Sequence, residues 1–237
     1  MADLAGIEAF NEVQRLLVVA AHPDDLETIC GGTIALLARR GVRIFSVNCT
    51  LGDIGTQDPD LTRAALAAQR QQEATEAARL LGIEEVLTLG WPDGELVADL
   101  RLRAQLAQVY RLTQADTLFT FDPYWPGQVH PDHRAAGQAA LDAYIPSKMR
   151  LYQPEQLAGG VEVACLQRIV LFHTERAPDV AVDVSAVYDT KLAACLAHRS
   201  QFRHGLDSLQ WLQGWDEARG QLLGVPRAET FKRLEVW

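Results

Sequence analysis

Short apolar runs alternate along this chain with longer segments whose apolar residues recur at helical spacing. Leu16 to Ala20 is an unbroken run of Leu, Val and Ala that stops at AHPDD, which suits a strand buried on both faces and ending in a loop. GGTIALLARRG then reads as a close glycine turn leading into a helix, with Ile34, Leu36 and Leu37 inward and Gly41 as its stop. Val42 to Cys49 resumes as a strand, and the Gly, Asp, Pro and Thr of Leu51 to Leu61 predict a loop. An Ala-rich helix is expected from Thr62 to Leu81, closed by Gly82, followed by a strand from Val86 to Leu89. WPDGE forms a turn, a periodic helix spans Asp99 to Leu112, and Thr117 to Phe121 is a further strand. This alternation predicts an α/β fold with a doubly wound, mostly parallel sheet, helices on both faces, and ligands beyond the carboxyl ends of the strands.

Past Pro146 the rhythm changes. LYQPEQLAGG is rich in turn formers, Arg168 to Phe172 and Val180 to Val184 read as strands, and Val187 to His198 reads as a helix. The expected organisation is one domain over 1–237, with a core at 1–146 and a small α/β subdomain at 147–237; 237 residues suit one α/β domain with several crossovers.

An apolar fraction of 48% with 22% charged residues supports a sizeable core and excludes a disordered chain. A formal charge of −9, with Lys and Arg scattered among acids, offers no basic stripe and speaks against nucleic acid as a partner. Cys30, Cys49, Cys165 and Cys195 form no C-x-x-C pair, so neither a thiolate metal site nor a redox motif is indicated. The opening MADLAGIEAFNEVQR has three acidic residues and no apolar core of a signal peptide, and no 18-residue apolar span follows. A cytoplasmic protein without membrane contact is expected.

The densest local chemistry lies in AHPDDLE, where His22 and Asp25 stand three apart as the chain leaves a strand, so one turn can aim both at a single point. Imidazole nitrogen and carboxylate oxygen suit Zn2+. Asp24, beside them, is a candidate general base. HPDH supplies the other suitable donors, His130 and His133. One histidine of that pair completes a three-ligand site with an open position; both would close it into a structural one. The joint reading rests on geometry, because two strand-end loops of a parallel sheet open on the same edge.

AHPDDLETICGGTIA and HPDHRAAGQAALDA together resemble the PIG-L/LmbE-type N-acetylglucosaminyl deacetylases, which include enzymes of the bacillithiol and mycothiol pathways. The likeness runs nearly end to end: R-x-x-E at Arg70 and Glu73, PDG at Pro92 to Gly94, then Asp183, Ser185, Lys191 and HRSQ at His198 to Gln201 fall in the family's order. The resemblance implies a Rossmann-like fold and one Zn2+ per chain, with Fe2+ as an alternative in the cell. It implies His22, Asp25 and His133 as ligands, Asp24 as general base, and His130, held by Asp132, as oxyanion donor or acid toward the leaving amine. Arg70 and Asp93 would bind sugar hydroxyls of a small N-acetylated sugar or conjugate, and such enzymes are often homo-oligomers. On this reading roughly 10²–10³ in rate depends on His130, and one zinc dication with Asp24 and Asp25 ionised sums to about zero, which suits a neutral amide.

The chain departs from the family pattern at two places: Leu26 separates Asp25 from Glu27, and Gln128 stands where some relatives have a tyrosine that assists the oxyanion. Trp91, Tyr124 and Trp125 offer flat faces to a sugar or form small satellite cores. The competing readings are a zinc amidase acting on thiol conjugates or other N-acyl compounds, and a metal-stabilised carbohydrate-binding protein. A nucleotide-binding module is weakly supported, since GGT follows a strand but G-x-G-x-x-G is absent.

Overall fold

The computed structural model describes residues 4–174 and 177–236. Among them, seven strands form one sheet: β1 (Arg15–Ala20), β2 (Arg43–Thr50), β3 (Glu85–Trp91), β4 (Thr117–Phe121), β5 (Arg168–Phe172), β6 (Val180–Asp183) and β7 (Ala228–Leu234). Their order is β3-β2-β1-β4-β5-β7-β6, parallel from β3 through β5, with β7 antiparallel to both of its neighbours. The chain thus winds outward from β1 to β3, returns to the other side of β1 at β4, and continues to β5. The reversal between β1 and β4 opens a crevice at their carboxyl ends. Leu16 to Ala20 and all of β4 are buried because β1 and β4 are central strands covered on both faces.

The helices fall into two groups. α1 (Asp25–Arg39), α2 (Arg63–Leu81) and α6 (Tyr188–Ala197) pack on one another, as do α3 (Leu100–Thr113), α4 (Pro131–Asp142) and α5 (Tyr144–Lys148), while α7 (Gln210–Gln221) packs against β7. α2 begins where Thr62 accepts a hydrogen bond from the N–H of Ala65 (3.2 Å) and ends at Gly82, whose φ of +78° is the left-handed conformation that terminates helices. Asp99 caps α3 in the same way, accepting from the Leu102 N–H at 2.8 Å. No helix among the described residues is long and apolar enough to cross a membrane.

The expected glycine turn at Gly31 and Gly32 is corrected here. α1 begins at Asp25, inside the AHPDDLE motif, and the glycines lie within it just after a non-helical residue, Cys30 (φ −138°, ψ 15°). That break frees two N–H groups, and Glu229 of β7 accepts both, from Gly32 at 2.9 Å and Thr33 at 2.7 Å. Gly32 is needed for close approach: a Cβ there would meet Cβ of Val184 at 2.6 Å. Glu229 also pairs with Nζ of fully buried Lys191 (2.8 Å), which reaches Asp216 Oδ2 at 2.7 Å. Asp183 accepts from the N–H of Ser185 at 2.9 Å. Lys191, Asp216 and Glu229 thus join α6, α7, β7 and α1.

Candidate active site

Loops from the carboxyl ends of β1 to β5 converge over the crevice, and each brings a polar group. Directly after β1, Asp25 folds back on its own turn: Oδ2 accepts from the N–H of Ala21 (3.1 Å) and of His22 (2.7 Å). Burial raises the Asp25 pKa, but His133 and His22 overcome it and hold the carboxyl well below the ordinary range. The carboxylate stands between two imidazoles, with Oδ2 at 3.4 Å from His22 Nδ1 and Oδ1 at 3.2 Å from His133 Nε2. The fold brings together His22, Asp25 and His133, the three residues that the resemblance implies as ligands.

The far edges of both rings are held. His22 Nε2 lies 3.0 Å from Asp93 Oδ1 and 3.3 Å from Asp132 Oδ2, two buried carboxylates that accept its proton. His133 Nδ1 lies 3.1 Å from Oε1 of Gln128, which has no proton to give, so Nδ1 is the donor. The neutral tautomers therefore turn the lone pairs of His22 Nδ1 and His133 Nε2 toward an ionised carboxylate. Only positive charge between them relieves that opposition, either protons or a metal cation. Burial lowers the His22 pKa, yet Asp25, Asp132 and Asp93 push it up to about 12, a measure of how strongly the cluster draws positive charge. Two imidazole nitrogens and a carboxylate oxygen, with outer hydrogen bonds to their far sides, are donors of the types that suit a divalent cation.

His130 caps α4, its Nδ1 accepting from the main-chain N–H of Asp132 at 3.2 Å, so the proton of its neutral ring sits on Nε2. Burial, then His133 and His22, lowers its pKa and keeps the ring neutral. It stacks on His133 with ring centroids 4.4 Å apart, and His133 is covered on its other side by Phe121 at 4.1 Å. His22, His130 and His133 each offer a nitrogen within 4.8 Å of the others, as do His22, Asp93 and Asp132 for their ligand atoms. The resemblance led us to expect the Asp132 side chain to hold His130. Instead Asp132 meets His130 through its backbone, while its fully buried carboxylate faces His22 and accepts from the N–H of Gly94 (2.7 Å) and Leu96 (3.2 Å).

Asp24 occupies the left-handed region at φ +107°, a strained conformation for a residue with a side chain, at the position that caps α1. Its side chain is 20% exposed, with Oδ1 at 3.1 Å from Nη2 of Arg70. Burial pushes its carboxyl up from the ordinary value, Arg70 pulls it down, and Asp25 adds to the rise. Arg70 is only 3% exposed; it donates to the carbonyls of Pro23 and of Gly52 (2.9 Å to the latter), fastening the loops after β1 and β2 beneath Asp24. Asp93 is also buried beside His22, its N–H donating to Asp53 Oδ1 at 2.9 Å. Glu73, the partner in R-x-x-E, accepts from the N–H (2.9 Å) and hydroxyl (2.6 Å) of Ser200 in HRSQ, and buried His198 faces Glu27 at 3.3 Å.

The sequence reading missed two groups. Gln128 is a link between two histidines: its Oε1 accepts a hydrogen bond from the Nδ1–H of His133, and its Nε2 donates to His173 Nδ1 at 3.0 Å. His173, just past β5 at φ +51°, lines a cavity of about 310 Å³ with Asp24, Asp25 and His133; burial lowers its pKa to about 4. The aromatic side of that cavity is Phe202, Trp211 and Trp215, from the last third of the chain. Trp91 is instead in the core, donating to Gln105 at 2.8 Å, Trp125 packs beside His173, and Tyr124 is exposed.

Residues 17–144 match the PIG-L family model, described as GlcNAc-PI de-N-acetylase. The chain is 31% identical to the diacetylchitobiose deacetylase of Thermococcus kodakarensis, over 82% of this chain and 73% of that protein. It is also 31% identical to a probable N-acetyl-alpha-D-glucosaminyl L-malate deacetylase 2 of Bacillus cereus, over 84% and 94%. Among solved structures, the N,N′-diacetylchitobiose deacetylase of Pyrococcus horikoshii superposes with a TM-score of 0.89 at 33% identity, covering 95% of this chain and 85% of the other.

Proposed function

The chain belongs to the PIG-L family, and from that premise we propose that it removes the acetyl group from an N-acetylglucosamine-type sugar or conjugate, using a divalent metal, Zn2+ in the first instance. The observation that carries the reading is the opposed set at Asp25: two imidazole lone pairs, each fixed from behind, aimed at one buried carboxylate. His22 through Nδ1, Asp25, and His133 through Nε2 would hold the ion. When bound, such an ion lowers the pKa of a water and polarises the amide carbonyl.

The rest of the chemistry belongs to the chain. Asp24 takes the proton of the attacking water; its strained backbone points the carboxylate at the cavity, and Arg70 opposes the rise that burial imposes on its pKa. Neutral His130 offers Nε2–H to the carbonyl oxygen as negative charge develops there. The proton held by Asp24 then passes to the departing amine, freeing acetate and the amino sugar. Arg70 serves this scheme as the residue that positions Asp24, with contact to a sugar hydroxyl as a further role, and Asp93 fixes the His22 ring.

The test is acetate release by zinc-loaded protein from N-acetylglucosamine, diacetylchitobiose, and the malate and inositol conjugates of N-acetylglucosamine. Asp24→Asn is expected to lower turnover by about 10²–10⁴ while keeping about one metal ion per chain. Turnover undiminished in that variant would refute the assignment of the base, and no acetate from any substrate would refute the reading as a whole.

A further inference from the structure

Two indoles stand in the open beside the candidate site. Trp211 is 50% exposed and Trp215 39%, whereas Leu209 and Leu212 on the same segment are buried, packing with Cys195. The segment is therefore anchored by its leucines, and the exposure of the tryptophans does not come from loose packing. A spacing of four residues on α7 puts both rings on one face of the helix, and that face is a wall of the cavity that holds Asp24, Asp25 and His133. The rings meet at 79° with centroids 5.6 Å apart, forming a corner. Trp215 is supported by the Arg219 guanidinium at 4.7 Å and by the His173 ring at 5.3 Å. Trp211 is the more open of the two.

The cavity thus has carboxylates and imidazole on one side and indoles on the other. A pyranose has the matching duality, with hydroxyls around its rim and C–H groups on its faces. At about 310 Å³ the cavity lies at the lower end of small-molecule sites, roughly 300–1,000 Å³. On the deacetylase reading it has room for the ring bearing the acetamide, and whatever is joined to that ring would lie at the rim.

We propose that Trp211, braced by Trp215, is the platform on which the second ring of the substrate stacks, so that the protein selects N-acetylglucosamine bearing a further pyranose over the free monosaccharide. This inference rests on the deacetylase reading and adds the determinant of substrate length. Aromatic rings buried against a ligand supply large contact area at little cost in side-chain freedom.

The experiment uses the full zinc-loaded chain carrying Asp24→Asn, so that bound sugar is not consumed, with diacetylchitobiose and N-acetylglucosamine titrated by calorimetry. Adding Trp211→Ala is expected to weaken diacetylchitobiose about tenfold relative to N-acetylglucosamine, and Trp211→Phe to recover most of that loss. In the active protein the same ratio appears in KM, with kcat much less affected. A ratio that moves less than threefold in Trp211→Ala, or a change in oligomeric state in place of a change in ratio, would overturn the platform and leave the deacetylase reading standing. Failure of either sugar to bind, together with no acetate release by the active protein, would end both.

Discussion

Gln128→Leu is the perturbation that most sharply separates a built metal site from a chance meeting of histidines. Gln128 is 3% exposed, and its Oε1 accepts the Nδ1 proton of His133 at 3.1 Å. Leucine has similar bulk but no acceptor, so the Nδ1–H loses its partner in a largely buried position. An unsatisfied buried donor costs about 1–3 kcal/mol. The ring can escape that cost by turning or by moving its proton to Nε2, and either change removes the lone pair from the place where a cation would sit. Loss of an outer hydrogen bond to a metal-binding histidine weakens metal affinity about 10–100-fold, or about 1.4–2.7 kcal/mol. Metal-free protein titrated with zinc against a chromophoric chelator should give that factor. Gln128→Glu keeps an oxygen for His133 but gives up the hydrogen bond to His173, and should bind zinc within a few-fold of the parent. Unchanged affinity in Gln128→Leu, or equal loss in both variants, would refute the reasoning.

Arg70→Met should move the acid limb of kcat/KM to higher pH. Burial already raises the Asp24 carboxyl and Arg70 pulls it down, so removing the guanidinium raises it further, and the base is lost to protonation sooner as pH falls; a lower plateau with an unmoved limb would make Arg70 a purely structural residue. Lys191→Met leaves Asp216 and Glu229 buried without their cation and should cost about 3–5 kcal/mol in urea unfolding. A loss below 1 kcal/mol would show that Lys191 does not hold the last third of the chain to α1.

The legible parts of the fold were those whose cause is local. β4 and β5 run from Thr117 to Phe121 and from Arg168 to Phe172, as their apolar runs predict, and α2 carries its own cap and stop in Thr62 and Gly82. What could not be read depends on partners distant in sequence. Gly31 and Gly32 look like a turn until Glu229 arrives from β7 to cap a broken helix. β7 itself, AETFKRL, is too polar to read as a strand, yet its first four residues are buried and pair with β6, while Lys232 to Leu234 pair with β5. At the site, His22, Asp25, His130 and His133 were visible because donors at short spacing follow strands on both sides of the reversal. The roles of Gln128 and His173 were not, since neither belongs to a motif: Gln128 acquires its role through His133 and His173 through Gln128, contacts that only the fold makes. Trp211 and Trp215 sit far along the chain, with no local signal that α7 would face the crevice.

The most direct measurement is a crystal structure of the zinc-soaked protein with anomalous data at the zinc edge. The account predicts one peak per chain, about 2.0–2.2 Å from His22 Nδ1, an Asp25 oxygen and His133 Nε2, with His130 outside bonding distance and a position left open toward the cavity. A peak bonded to His130 as a fourth protein ligand, closing the shell, or no peak between Asp25 and the two imidazoles, would contradict it.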